Sequence, residues 1–175
     1  PWNQQMFLMT TKLAPALAAG NTVVIKPSEI TPLSVLHWCS LIESILPPGV
    51  INVVTGYGQS AGEPLVTHLD VPVITFTGSV VTGKKIARLA ADNLKKVSLE
   101  LGGKDPMIIC DDADIEIAAQ GASWGGFVNA GQVCTSIERI YVFENVINKF
   151  TEAIIEEAKK VVLGDPFAKD TDIGP

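Results

Sequence analysis

The sequence is poor in cysteine and histidine. Its 175 residues contain two histidines and three widely spaced cysteines, Cys39, Cys110 and Cys134. No Cys-x-x-Cys pair is present, which excludes a disulfide framework and a zinc site, so we predict no metal. Unpaired cysteines at this spacing are typical of a reducing compartment, and the expected location is cytoplasmic.

Positive charge is also scarce. Thirteen lysines and arginines stand against 19 aspartates and glutamates, for a net charge of −6. Neither half of the chain offers a basic stripe, which argues against nucleic acid as a partner. Hydrophobic residues make up 47% of the chain and charged residues 18%. This composition excludes a disordered tail or a coiled coil and predicts a buried core.

The start of the chain lacks the marks of a secretory leader. It begins at Pro1 without a basic segment and a short apolar core, and the missing Met indicates a fragment. Residues 117–137 contain no charged side chain, which raises the question of a membrane span. Glycines such as Gly121 and Gly125 and polar residues such as Gln120 interrupt this stretch. We therefore predict a buried helix and turn, and no membrane partner.

Short apolar runs alternate with segments of helical length. The predicted strands are residues 22–25, 50–54, 73–76, 97–99, 107–109 and 139–143. The predicted helices are residues 4–19, 32–45, 60–68, 80–92 and 146–162, besides the uncharged stretch. Gly20 is expected at a helix C-cap, Pro32 in a first turn and Ser79 at an N-cap. This alternation predicts an α/β fold with parallel strands and right-handed crossovers.

Three carboxylates precede the uncharged stretch. Asp111, Asp112 and Asp114 stand where a helix begins, and the helix dipole favours negative charge there. We interpret all three as caps rather than metal ligands.

Two residues suggest chemistry. Cys134 follows Gly131-Gln132-Val133; taken alone, such a cysteine is either a small buried hydrophobe or a nucleophile that needs activation. Glu100 directly follows an apolar strand and precedes Leu101-Gly102-Gly103. A carboxylate there is either a general base or a strand-end charge that reaches water.

Two further segments suggest a nucleotide. Phe76-Thr77-Gly78-Ser79, with Gly83 beyond, is typical of a strand, a glycine turn and a helix start, where backbone N–H groups can face a phosphate. It is neither the G-x-G-x-x-G fingerprint nor a P-loop, so the signal alone is weak. Lys26-Pro27-Ser28-Glu29 ends another strand and either grips ribose hydroxyls or only forms a turn.

Together, these segments resemble the aldehyde dehydrogenase family in chain order. The resemblance extends over essentially the whole chain. It is carried by Pro1-Trp2-Asn3, residues 20–29, residues 76–79, Leu99-Glu100-Leu101-Gly102-Gly103-Lys104 and Gly131-Gln132-Val133-Cys134. Gln5 and Ser136 depart from the residues usual in the family, but neither removes a reacting group.

The resemblance implies an enzyme that oxidises an aldehyde to a carboxylic acid with NAD(P). Its implied catalytic residues are Cys134 as nucleophile, Asn3 as oxyanion donor and Glu100 as the base that activates water. The implied cofactor is NAD, with NADP possible, because the Glu29 carboxylate would oppose a 2′-phosphate. The implied cofactor-binding residues are Lys26, Ser28, Glu29, Thr77, Gly78, Ser79, Gly83, Leu101 and Gly102. Lys12 matches a further basic position of the family.

The resemblance also implies a domain plan. Residues 1–102 are expected to form the C-terminal part of a coenzyme domain with a Rossmann-type parallel sheet, and residues 103–175 the start of an α/β catalytic domain. The parent enzyme is expected to be a homo-oligomer, a dimer or tetramer, with a small-molecule aldehyde as substrate. Two alternatives stay open: a nucleotide-binding module without catalysis, and a CoA-acylating semialdehyde dehydrogenase, which Glu100 disfavours.

Overall fold

The chain divides into two compact units just before the neighbouring glycines Gly102 and Gly103. The computed structural model describes residues 1–174, and its contacts separate residues 1–101 from the residues that follow. The division falls between Leu101 and Gly102. Assignment of the first unit to a coenzyme domain and of the second to a catalytic domain stays a prediction.

The first unit alternates helices with short strands. Its elements are α1 (Gln5–Ala18), β1 (Val23–Ile25), α2 (Leu33–Ile42), β2 (Ile51–Val53), a π-helical turn (Gly58–Gly62), α3 (Glu63–Thr67), β3 (Val73–Gly78), α4 (Val80–Ala91) and β4 (Lys96–Leu101). The single helix predicted over residues 60–68 is thus wrong in its first turn. Pro64 has no N–H to donate to the carbonyl of Ser60, so an α-helix cannot run through this segment.

All strand pairs in the first unit are parallel, as predicted. β1 pairs with β2 and β3 pairs with β4, as two separate two-stranded ladders within the described chain. One apolar cluster joins α1 and α2 through Met9, Leu13 and Val35. A second cluster joins Ile74 of β3 to Ile86 of α4, among others. Burial of these side chains fixes each helix against its ladder.

Two predicted helix ends are confirmed. After α1, Gly20 has φ +76°; its N–H bonds to the Leu17 carbonyl, while that of Asn21 bonds to the Ala16 carbonyl. These two bonds form a Schellman motif, which needs a left-handed residue at this point. Ser79 is extended and its hydroxyl accepts a hydrogen bond from Thr82 N, so it is the N-cap of α4.

The second unit is built on one parallel pair. Its elements are β5 (Asp105–Ile109), α5 (Ile115–Phe127), a 3₁₀ turn (Val128–Gly131), β6 (Ile137–Val142), a further 3₁₀ turn (Glu144–Val146) and α6 (Ile147–Lys159). β5 pairs with β6, and the register shifts between Asp105 and Pro106, where the proline cannot donate to the ladder. The core contains Ile109, Ala119 and Phe150, among others.

The prediction that residues 117–137 form a buried helix and turn is only partly right. α5 ends at Phe127, and its small residues, such as Ala119 and Ala122, are buried. Ile117 and Trp124, however, are 67% and 72% exposed, because a helix can bury only one face against its own sheet. No helix in residues 1–174 is long and apolar enough to cross a bilayer.

The cap prediction for the three aspartates holds for one of them. The carboxylate of Asp114 accepts hydrogen bonds from Glu116 N and Ile117 N, at 3.1 and 3.2 Å, and caps α5. Asp111 and Asp112 lie in the preceding turn. They are too far back along the chain for the N-cap position, which one residue fills.

Candidate active site

The carboxyl end of β1 carries the first group of predicted cofactor residues. Lys26 Nζ donates to the carbonyl oxygens of Pro27, at 2.7 Å, and Gly56, at 3.1 Å. The same Nζ lies 3.6 Å from Glu29 Oε2, and the side chains of Lys26 and Glu29 are 21% and 42% exposed. The carbonyls therefore hold the lysine in place, while the glutamate keeps oxygens open to a further donor. Ser28, half-buried, stands between them along the chain.

A second contact links α1 to the end of β3. Lys12 Nζ donates to Thr77 Oγ1 at 2.7 Å, and Thr77 is 9% exposed. Thr77 and Glu100 are partners in the parallel ladder of β3 and β4, so their side chains leave the same face of the sheet. Glu100 itself is exposed. The structure thus puts a partly buried cation, Lys12, on the side of the ladder that carries the predicted base.

The charges of this region converge near the start of the chain. Burial lowers the pKa of the Pro1 amine, Lys12 and then Lys26 lower it further, and Glu29 opposes them. Such charge effects require the groups to be close. Asn3, the predicted oxyanion donor, is half-buried two residues later. The Pro1 amine therefore lies near Lys12, Lys26 and Glu29, and Asn3 stands two residues further along the chain.

The start of α4 has the form expected of an anion site. Ser79 Oγ accepts from Thr82 N at 3.2 Å and contacts Thr82 Oγ1 at 2.9 Å, so the cap is fixed and the first N–H groups of the helix point outward along its axis. A Cβ on Gly78 would lie 2.5 Å from the Phe76 ring. Glycine is therefore needed where β3 turns into α4.

Gly83 and Leu101 lie together as packing partners. Gly83 is buried in α4, and a Cβ there would lie 2.6 Å from Leu101 Cδ2 at the end of β4. Because Gly83 has no side chain, α4 can pack closely against Leu101 of β4. This packing is the structural role of the two residues. Gly102 is exposed just beyond β4. The prediction that all three bind a cofactor stays a prediction.

Cys134 lies in a tight turn of the second unit. Ser136 N bonds to the Val133 carbonyl at 3.0 Å, so Cys134 and Thr135 are the central residues of a turn between α5 and β6. The thiol side chain is neither fully buried nor fully exposed. This position gives a reagent access to the sulfur while the protein holds it from one side.

The chain approaches Cys134 through a left-handed turn that sequence patterns did not indicate. Asn129 and Ala130 have φ +53° and +57°, and Gly131 follows with φ +74°. The Asn129 amide donates to the Gln132 carbonyl at 3.3 Å, and the Gln132 amide donates to the Asn129 carbonyl at 3.1 Å. Side chains rarely adopt this backbone conformation, and it costs free energy that neighbouring contacts must supply. The sequence signal for this turn is the presence of Asn129 and Gly131, because asparagine and glycine adopt the left-handed conformation more readily than other residues.

A small depression lies beside this turn. Its volume is about 110 Å³, and it is lined by Asn129, Ala130, Gln132, Asp172, Ile173 and Gly174. The Asp172 carboxylate accepts from Val162 N at 2.9 Å, so this carboxylate is already engaged with the backbone that follows α6.

Comparison with known proteins gives one family. The model of the "Aldehyde dehydrogenase family" matches residues 1–175. The chain is 50% identical over 177 aligned positions to "Aldehyde dehydrogenase 2, mitochondrial" of Saccharomyces cerevisiae, with 100% of this chain and 35% of the relative covered. The chain therefore spans about a third of the length of this relative.

Solved structures agree with this match. Aldehyde dehydrogenase C from Pseudomonas syringae, as a mutant complexed with NAD+ and octanal, superposes with a TM-score of 0.92 at 40% identity, covering 100% of this chain and 36% of that one. Betaine aldehyde dehydrogenase from Staphylococcus aureus, in complex with NAD+, gives 0.91 at 45% identity, with coverage of 100% and 35%.

Proposed function

Because the chain belongs to the aldehyde dehydrogenase family, we propose that the protein oxidises an aldehyde to a carboxylic acid, with NAD as electron acceptor and Cys134 as nucleophile. The observation that carries the proposal is the segment Gly131-Gln132-Val133-Cys134 within the matched residues. Its last two residues, Val133 and Cys134, enter a turn closed by the bond from Ser136 N to the Val133 carbonyl, and the thiol is partly exposed. A nucleophile needs this combination of access and fixed position.

In the proposed reaction, the Cys134 thiolate attacks the aldehyde carbonyl carbon and forms a thiohemiacetal. The Asn3 side-chain amide and the Cys134 backbone N–H donate to the oxygen as it becomes negative, and one such donor typically contributes about 3 kcal/mol to the transition state. Loss of a hydride from carbon then leaves a thioester on Cys134. Bound NAD supplies the acceptor for that hydride.

Release of the product is assigned to Glu100. Its carboxylate takes a proton from water as the water attacks the thioester carbonyl, and the acid leaves as the thiol of Cys134 is restored. Glu100 lies at the end of β4, and the exposed position of its side chain supports exchange of that proton with solvent. The Lys12 contact to Thr77 supports a fixed geometry for this face of the ladder.

The donor set at the edge of the first unit fits a dinucleotide. Glu29 has open carboxylate oxygens for ribose hydroxyls beside a fixed Lys26, and the capped start of α4 suits a pyrophosphate. The proposed cofactor-binding residues are Lys26, Ser28, Glu29, Thr77, Gly78, Ser79, Gly83, Leu101 and Gly102. The Glu29 carboxylate favours NAD, since a 2′-phosphate would add close to two negative charges beside it.

The wider assignments are part of the same proposal. We assign residues 1–102 to a coenzyme domain and residues 103–175 to a catalytic domain, in a homo-oligomeric enzyme that acts on a small aldehyde without a nucleic-acid or membrane partner. The cytoplasmic location rests on the three dispersed cysteines.

The test is turnover in the intact protein. NADH formation is followed with a panel of aldehydes that includes octanal, with and without CoA, for Cys134→Ala and for the matched variant Cys110→Ala. Cys134→Ala should lower kcat at least about a thousandfold, while Cys110→Ala keeps normal activity. Unchanged turnover in Cys134→Ala contradicts the proposal. A strict need for CoA favours the acylating alternative, and NAD binding without any turnover favours the non-catalytic module.

A further inference from the structure

The loop that carries Cys134 approaches one turn of α5 at both ends and is hydrogen-bonded to it at the Ser136 end. At its far end, Ser136 is 3% exposed, and its hydroxyl lies 3.3 Å from the Gly125 carbonyl oxygen and 3.5 Å from that of Gly126. At its near end, a Cβ on Gly131 would lie 3.3 Å from the same Gly126 oxygen. The six residues from Gly131 to Ser136, which include the nucleophile, therefore begin and end beside two neighbouring glycines.

The end of α5 has carbonyls that need partners. The last four carbonyl groups of an α-helix have no partner within the helix, and burial without one costs free energy. The Trp124 carbonyl accepts from Val128 N, and the carbonyls of Gly125 and Gly126 are the next two. The hydroxyl of Ser136 lies within hydrogen-bond distance of both carbonyls, so its one proton can be donated to either or shared between them.

Ile137 locks the same end of the loop by shape. Gly125 is buried, and a Cβ there would lie 2.4 Å from Ile137 Cδ1. The absence of a side chain at Gly125 leaves the space that Ile137 fills, directly after Ser136. A hydrogen bond and an apolar contact thus hold consecutive residues against one helical turn.

We propose that Ser136 is a positioning residue, which holds the Cys134 turn through its hydroxyl on the end of α5. Alanine at this position would keep the shape of the side chain and remove the donor. The turn would then open more often, and the half-buried thiol of Cys134 would become accessible more often. The inference adds to the proposed function, since it concerns how the proposed nucleophile is held.

Thiol labelling tests the proposal without turnover. The chain is treated with iodoacetamide at limiting reagent and fixed pH, and mass spectrometry gives separate rate constants for Cys39, Cys110 and Cys134 in the same molecules. Cys110 is exposed in the same unit and serves as the internal reference. In Ser136→Ala, the ratio of the Cys134 rate to the Cys110 rate should rise about fivefold, the change in an opening equilibrium that loss of one ordinary hydrogen bond produces.

Two further variants separate positioning from general stability. Gly131→Ala disturbs the near end of the loop and should raise the same ratio. Ser123→Ala removes another buried hydroxyl, on α5, and should leave the ratio unchanged even where it lowers Tm. A wild-type ratio in both Ser136→Ala and Gly131→Ala, with or without a lower Tm, overturns the proposal.

The labelling result stands apart from the enzymatic one. If the ratio rises in Ser136→Ala but the intact wild-type protein oxidises no aldehyde, the positioning role of Ser136 is correct and the proposed function is wrong. If aldehyde oxidation is found and the ratio does not move, the function stands and Ser136 is only a structural residue. In an active enzyme, we expect Ser136→Ala to lower kcat and leave the KM for the aldehyde nearly unchanged.

Discussion

The start of α4 in the first unit and the loop around Cys134 in the second unit are held in place by different kinds of contact. Around Ser79, a strand ends, a side chain caps the next helix, and Gly83 allows the helix to pack. Around Cys134, the chain leaves a helix, passes through three left-handed residues and is held by the Ser136 hydroxyl on helix carbonyls. The first arrangement is local and regular, whereas the second depends on contacts between separate segments.

This difference has a functional meaning. A dinucleotide is large and is held by many weak contacts, so regular ends of strands and helices suffice. A nucleophile must be held to a fraction of an ångström, and a strained turn with few accessible alternatives provides that. Strain around Cys134 should therefore affect chemistry, while comparable changes around Ser79 should affect only binding or stability.

The largest effect is expected at the packed glycine of α5. Gly125→Ala puts a Cβ 2.4 Å from Ile137 Cδ1, and overpacking of this kind costs about 1–3 kcal/mol of unfolding free energy. Gly121→Ala is the matched control: its Cβ would lie 3.9 Å from Met107 Cε, an ordinary contact. That variant should gain about 0.5–1 kcal/mol through helix propensity. Urea titrations measure the unfolding free energy of both variants. Equal stability of Gly125→Ala and Gly121→Ala would contradict the account.

The two helix caps should separate stability from binding. Ser79→Ala and Asp114→Ala each remove an N-cap and should each cost about 1 kcal/mol. Only Ser79→Ala should also weaken NAD binding, because only α4 starts at the proposed pyrophosphate site. Calorimetric titration with NAD, alongside thermal unfolding, measures both. Equal loss of NAD affinity in the two variants would remove the assignment of the site to α4.

The left-handed residues give a smaller contrast. Leu94 has φ +49° and is 93% exposed after α4, while Ala130 has φ +57° before Cys134. Glycine at either position relieves the strain and should add about 0.5 kcal/mol of stability, after allowance for its freer unfolded chain. Ala130→Gly should also lower kcat, since it frees the loop, whereas Leu94→Gly should not. Loss of activity in Leu94→Gly alone would reverse this interpretation.

The smallest effect concerns pH and Cys39. Burial raises the pKa of the Cys39 thiol, so the folded chain keeps the proton at a pH where the unfolded chain has lost it. The unfolding free energy should therefore fall slightly as pH rises above about 8.5, the ordinary pKa of a free thiol. Cys39→Ser should flatten that part of the pH profile. A profile that is identical in wild type and variant would show that this thiol does not contribute.

Local signals in the sequence were enough for the regular parts of the fold. Gly20 and Ser79 marked helix ends because their conformations and hydrogen bonds depend on a few neighbouring residues. The parallel pairing followed from the alternation of strands and helices. The π-helical turn before α3 depends on Pro64, which cannot donate to the Ser60 carbonyl, and the length of the segment alone does not indicate it.

The contacts that hold the candidate site could not be predicted from local sequence patterns. The Lys12 contact to Thr77 joins residues 65 positions apart, and no short pattern encodes it. In the sequence, Ser136 differs from the family pattern but shows no role, because its hydrogen-bond partners lie at the end of another element. The uncharged run predicts low polarity along α5 but does not show which face of the helix packs against the sheet. The exposed face was therefore predicted to be buried.

The central claim is that Cys134 carries the substrate as a thioester that Glu100 helps to hydrolyse. The direct measurement uses Glu100→Gln in the intact protein, mixed with aldehyde and NAD, quenched and mapped by mass spectrometry. We expect about one equivalent of NADH to form rapidly, with the acyl group found on Cys134, because the second step alone is slowed. An acyl group on Cys39 or Cys110, or an NADH burst without any modified cysteine, would contradict the account.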